Sequence, residues 1–139
     1  MPAWKKLEYK VAEILNGRRI PSSGRAKGFK GDVESDEFLA ECKQGQIIPS
    51  KIKNMKNLVL KEDFILLSAE DLSSKVVFWW TKIEKEARDI GKLPLLVMRP
   101  KNQKIVFILF KTSENRFCLT SLKYFDFAKD IFLEENLIC

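Results

Sequence analysis

Residues 24–43 read GRAKGFKGDVESDEFLAECK, and the rest of the chain is organised around them. A basic, glycine-punctuated approach ends at Asp32, and nine residues later comes the tripeptide Glu41-Cys42-Lys43. The pattern predicts a β-hairpin with Asp32-Val33-Glu34 and residues 38–43 as strands, joined at Ser35-Asp36. A two-residue turn pairs Asp32 with Leu39 and Val33 with Phe38. Side chains alternate across a strand, so Val33, Phe38, Ala40 and Cys42 share an apolar face. Asp32, Leu39, Glu41 and Lys43 share the other. Asp32 and Glu41 become diagonal neighbours, roughly 7–8 Å apart at the backbone, a gap that two carboxylates can close around one cation. A one-residue slip of register separates them.

Moving outward, residues 4–16 read as a helix. Trp4, Leu7, Val11, Ile14 and Leu15 recur at helical spacing, and Gly17 supplies a stop. Glu8 falls between Trp4 and Ala12 on the margin of that stripe, where a boundary glutamate is the ordinary reading. Arg18-Arg19-Ile20 is a short extended piece, and residues 22–31 a loop. Its glycines precede a strand instead of following one and opening a helix, so it is not a nucleotide-phosphate loop. Residues 44–57 read as irregular, and 58–68 as a small hairpin made of the runs LVL and FILLS. Ser68-Ala69-Glu70-Asp71 has the spacing of a capping box that opens a helix. Val76, Trp79, Trp80, Ile83, Ala87 and Ile90 form a helical stripe stopped by Gly91, with Val77 and Phe78 off it. Residues 95–98, 104–110 and 116–120 read as strands, the first two apolar on both faces and therefore central. Residues 121–135 read as a C-terminal helix with Tyr124, Phe127, Ala128 and Ile131 on one face, Phe125 and Phe132 beside it. The order predicts one α/β domain spanning 1–139, a mixed central β-sheet flanked by helices.

Composition narrows the chemistry. The 139 residues contain no histidine and three cysteines, Cys42, Cys118 and Cys139, without CxxC spacing. A structural zinc site, a disulfide framework and histidine-based catalysis are therefore set aside. What remains for catalysis is carboxylate, lysine or a hard metal ion. The net charge is +6, and between Gly17 and Gly31 lie Arg18, Arg19, Arg25, Lys27 and Lys30 with no acid. Basic runs are commonly solvated faces; one beside a carboxylate cluster points to a phosphate backbone. No apolar run approaches the ~20 residues of a membrane helix, and MPAWKKLEYK lacks the apolar core of a signal peptide. A soluble, cytoplasmic protein with no membrane and no nucleotide cofactor is expected (host cytoplasm for a viral source).

Glu8, Gly31-Asp32-Val33 and Glu41-Cys42-Lys43, with RRIPSSGRAKG between them, resemble the PD-(D/E)XK nuclease superfamily. Within it, the short length, the helix-borne glutamate and the basic Ser/Gly-rich loop resemble archaeal and phage-type Holliday junction resolvases. The resemblance covers residues 4–46 and 76–110. Residues 53–72 look like an insertion, and Gly31 stands where the motif commonly has proline.

The resemblance implies a restriction-endonuclease-like core and a Mg²⁺-dependent endonuclease, with Mn²⁺ able to substitute. Asp32, Glu41 and the backbone carbonyl of Cys42 would hold the metal, with Glu8 reaching it or its water from the helix. Lys43 would orient the attacking water or offset charge on the phosphate. Arg18, Arg19, Ser23, Arg25, Lys27, Lys30 and Gln44 would contact DNA, and a branched substrate implies a homodimer. Two alternatives stand beside it. One is a restriction-like or repair endonuclease acting on duplex, flap or single-stranded DNA, and the other a nucleic-acid-binding module without catalysis.

Overall fold

The structure, a computed structural model, describes residues 2–20 and 31–133. Among these the strands are β1 (Arg18–Arg19), β2 (Val33–Glu34), β3 (Phe38–Gly45), β4 (Phe64–Leu67), β5 (Leu93–Pro100), β6 (Phe107–Lys111) and β7 (Phe117–Ser121). The helices are α1 (Ala3–Leu15), α2 (Ser50–Lys53), α3 (Lys56–Glu62), α4 (Ser74–Asp89) and α5 (Phe125–Phe132). The strands form one mixed sheet in the order β1-β2-β3-β5-β6-β7-β4. β3 and β5 run parallel, from Phe38 opposite Leu93 to Gly45 opposite Pro100, and the other pairings are antiparallel. The fold is α/β, as expected.

Both faces of the sheet are covered. Phe125 of α5 meets Phe38 at 5.6 Å and Phe110 at 6.0 Å between ring centroids, and Trp80 of α4 meets Phe117 at 5.5 Å. Phe110 and Phe117 point to opposite faces, because Phe110 pairs with Cys118, the neighbour of Phe117. α5 and α4 therefore sandwich the sheet. This explains why Leu95, Leu96, Val97 and Met98 are all buried.

The hairpin forms in a different register from the expected one. Val33 pairs with Ala40 and Glu34 with Leu39, two residues along. The turn is Asp36-Glu37, closed by Ser35 N–H donating to the Phe38 carbonyl at 2.9 Å. The Ser35 hydroxyl accepts from Phe38 N–H at 3.1 Å and fixes that choice. Because side chains have period two, an even slip leaves the facing of Val33 and of β3 intact; Asp32 lies outside β2, its N–H turned to β3 and its carbonyl to β1, so its own hydrogen bonds place it.

Elsewhere the differences have identifiable causes. Residues 44–57 are not irregular: β3 runs on to Gly45 along β5, and α2 and the start of α3 follow. The 58–68 hairpin does not form. LVL lies in α3, and FILL becomes β4, which pairs with β7 from Phe64 opposite Thr120 to Leu67 opposite Phe117. β7 offered an open edge that local pattern does not reveal. The Ser68–Asp71 capping box forms, but on a single 3₁₀ turn; α4 starts later, with the Ser73 hydroxyl accepting from Val76 N–H at 3.3 Å. In α1 the buried residues are Leu7, Glu8, Val11 and Ala12, while Trp4 is half exposed beneath the Arg19 guanidinium. In α5 the buried residues are Phe125 and Ala128, leaving Phe127 and Ile131 outward, because Phe125 fills the space between Phe38 and Phe110.

Candidate active site

Asp32 stands where β2 and β3 part company. Gly31, at φ 76, turns the chain over Leu39, and Asp32 N–H donates to the Ala40 carbonyl at 2.9 Å. On its other side the Asp32 carbonyl accepts from Ile20 N–H at 2.8 Å, so the backbone here is held between β1 and β3. β2 reaches no further than Ala40, which leaves the Cys42 amide on an open edge of β3. The Asp32 carboxylate fills that vacancy: Oδ2 accepts from Cys42 N–H at 2.8 Å, and the residue is only 4% exposed. A charge-assisted bond of this kind is about twice as strong as a neutral one. In a strand, the N–H and C=O of one residue point to the same edge. The Cys42 carbonyl therefore faces the Asp32 side of β3 as well.

Glu41 and Lys43 project from the face that α4 covers. Lys43 Nζ lies 3.4 Å from Glu41 Oε1, both side chains largely buried. The same ammonium sits 5.4 Å from the Trp79 ring centroid, and Lys75 lies 5.9 Å from that centroid. Glu41 and Lys43 open into a cleft of about 170 Å³ lined also by Phe78, Trp79, Lys82 and Ile83. A larger cavity of about 530 Å³ lies elsewhere, between the end of α1 and α5, and shares none of these residues.

Glu8 comes from α1 and is 5% exposed. It is held by Arg19, whose Nε lies 2.9 Å from Glu8 Oε1. The guanidinium also stacks over Tyr9 at 4.8 Å and Trp4 at 5.8 Å. The hydrogen bond to Glu8 raises the Arg19 pKa above its usual value, against the opposing effect of burial. Cys42 ties the two faces together. Its thiol packs against the core and is pushed well above the normal range, first by burial and then by the charges of Glu8 and Glu41. Such a thiol stays protonated and is not a nucleophile.

Asp32, Glu41 and Lys43 are thus brought around one segment of β3, while Glu8 stays paired with Arg19. Among the described residues no group of three or more His, Cys, Asp or Glu side chains forms a ready-made metal cluster. Of the expected DNA contacts, Arg18 is exposed and paired with Glu34 at 3.0 Å. Arg19 is committed to Glu8. The Gln44 amide oxygen is buried without a hydrogen-bond partner. Ser23, Arg25, Lys27 and Lys30 lie outside the described residues. One participant had not been singled out by sequence: Trp79 had the spacing of a core residue. Arg19 had been expected on DNA, and nothing in the pattern linked it to Glu8 across 11 positions.

No protein-family model matches the chain, and no curated protein matches it.

Proposed function

We propose that this chain is a metal-dependent DNA endonuclease of the PD-(D/E)XK type, hydrolysing phosphodiester bonds, and most specifically a homodimeric resolvase of four-way junctions. The observation that carries the reading is the bond from Cys42 N–H to Asp32 Oδ2. It fixes a carboxylate beside the segment that supplies Glu41 and Lys43. The donor set fits Mg²⁺: Asp32, Glu41 and the Cys42 carbonyl are hard oxygen ligands on neighbouring backbone. Mg²⁺ typically takes one or two carboxylates and keeps several waters, so a third side-chain ligand is not required. Bound there, it would polarise the scissile phosphate and lower the pKa of a bound water.

The chain's own groups have separable tasks. Asp32, anchored on Cys42 N–H, presents its carboxylate with little freedom to move. Glu41, paired with Lys43 at 3.4 Å, would be the second carboxylate to hold the cation. Lys43 would donate to a phosphate oxygen and offset the charge that grows there in the transition state. The Trp79 ring keeps that ammonium at the cleft. Glu8, held by Arg19 at 2.9 Å on the other side of β3, would contribute negative charge and would reach a cation only with that pair loosened. Arg18 contributes phosphate affinity without sequence preference.

Asp32→Asn and Glu41→Gln, assayed with Mg²⁺ on a synthetic four-way junction, a flap and a linear duplex, test this reading. Each variant is expected to lose cleavage by at least roughly 100-fold while retaining DNA binding. Undiminished cleavage overturns the site assignment. Equal cutting of all three substrates, or a strictly monomeric enzyme, replaces the resolvase with a restriction-like or repair nuclease. Binding without cleavage under Mg²⁺ or Mn²⁺ leaves a non-catalytic module.

A further inference from the structure

A second cavity, of about 420 Å³, lies between α1, α3, the turn after β5 and the turn that follows β7. Lys10, Lys56, Lys104 and Lys123 line it, and no carboxylate does among the described residues. Among the described residues none of the four has an ion-pair partner, although ion pairs occupy Lys43, Lys92, Lys111 and Lys129. Four unpaired ammonium groups around one concavity repel one another, and an anion bound among them relieves that repulsion.

Two polar atoms at the same cavity are also unmatched. Ser121 is 4% exposed, and its hydroxyl is buried with no hydrogen-bond partner. The Gln103 amide oxygen is likewise buried and unpartnered. Buried polar atoms left this way forfeit their hydration without replacement, so a partner that satisfies them binds with that advantage. The hydroxyl has a proton to give and the amide oxygen a lone pair to share. The complementary ligand therefore carries both an acceptor and a donor. Leu60, Val106 and Leu122 form an apolar wall beside them. The volume falls in the range of small-molecule sites and exceeds what a lone phosphate requires.

We propose that this cavity binds a nucleotide unit, with its phosphate among the four lysines and its planar ring against the apolar wall. The unit is either a free mononucleotide or one residue of a single nucleic-acid strand; the chemistry recognised is the same. The inference is independent of cleavage at Asp32 and Glu41 and stands or falls separately from it.

Isothermal titration without metal, at low salt, uses three probes: inorganic phosphate, deoxyadenosine 5′-monophosphate and a short single-stranded oligonucleotide. The mononucleotide or the oligonucleotide is expected to bind more tightly than phosphate. Lys56→Gln/Lys123→Gln should weaken that binding by roughly tenfold or more, and Ser121→Ala by roughly threefold to tenfold, with a thermal midpoint unchanged or raised. Binding of the mononucleotide identifies a free ligand. Binding of the oligonucleotide alone, with the same sensitivity, identifies a strand. Lys85→Gln/Arg88→Gln removes equal charge from exposed positions of α4 and should leave binding within roughly twofold. The proposal is overturned if no probe binds at millimolar concentration. It is also overturned if the two double variants lose affinity equally, which is the signature of diffuse charge.

Discussion

The Glu8–Arg19 pair shows how much one residue's role depends on its company. Glu8 looked like a boundary glutamate on a helix margin, and the structure buries it almost fully against a guanidinium stacked on Tyr9 and Trp4. Removing one partner of a buried pair strands the other charge, which costs more than the pair contributes. Arg19→Ala is therefore expected to lower unfolding free energy by about 2–4 kcal/mol, read from the urea midpoint. Arg19→Lys should recover little of it, because a lysine lacks the planar stacking and the Nε donor. A loss below about 0.5 kcal/mol, as for an exposed pair, contradicts the buried role. The two buried thiols give a pH dependence with a definite sign. Cys42 and Cys118 are both raised by burial, Cys118 to about 12. In the unfolded chain a thiol ionises near 8.5, so above that pH the unfolded state has lost protons that the folded state retains. Stability is complete below about pH 8.5 and falls as pH rises toward the folded values. Denaturation at pH 8 and pH 10.5 should show this decline, and Cys42→Ala should flatten it; an unchanged slope in the variant refutes the assignment.

Elements whose residues carry their own instructions were legible, and those defined by a partner were not. α1, α4 and the strands β5, β6 and β7 follow from helical stripes or continuous apolar runs that hold wherever the segment docks. FILL of β4 carries no sign that its partner is β7, some 50 residues on, and LVL gave no sign that it lies within the helix α3. Hairpin register failed for a similar reason: the Ser35 hydroxyl selects the turn, and alternation alone cannot tell two even slips apart. Glu41 and Lys43 kept their facing because it depends only on parity, whereas Asp32 is placed by its own hydrogen bonds outside β2. Gly17, expected as the stop of α1, is needed for a different reason: Asn16 at φ 54 makes the left-handed cap, whereas a Cβ at Gly17 would run into the Glu34 carbonyl oxygen and crowd Ser35 at 3.0 Å. Gly17→Ala must therefore push α1 off β2, costing about 1–3 kcal/mol by overpacking. Without that close approach an alanine at this ordinary φ would stabilise slightly, so a calorimetric midpoint at or above wild type would falsify the account.

At the scale of the whole molecule, the sheet order decides which parts of the site are rigid. β3 and β5 lie inside the sheet, bonded along eight positions and covered by α5 and α4 on the two faces, so β3 offers a firm base for Glu41 and Lys43. β1 and β4 are the edges, and β1 is only two residues long. Asp32 sits between these regimes, close to an edge yet bonded to the β3 amide of Cys42. Amide exchange measures this directly, since local opening free energy rises from edges to core. The amides of Leu96, Val97 and Ile108 should exchange most slowly, near the global unfolding limit, and those of β1 and β4 fastest among the strands. Cys42 is the discriminating position. On an open strand edge its amide would exchange like β1; accepted by Asp32, it should be protected nearly as well as the interior of β3. Asp32→Asn weakens the acceptor from charged to neutral and should speed Cys42 exchange by roughly threefold to tenfold, leaving Val97 unchanged. If Cys42 in the wild type exchanges as fast as Arg19, the carboxylate does not hold the strand, and the geometry on which the nuclease reading rests is lost with it.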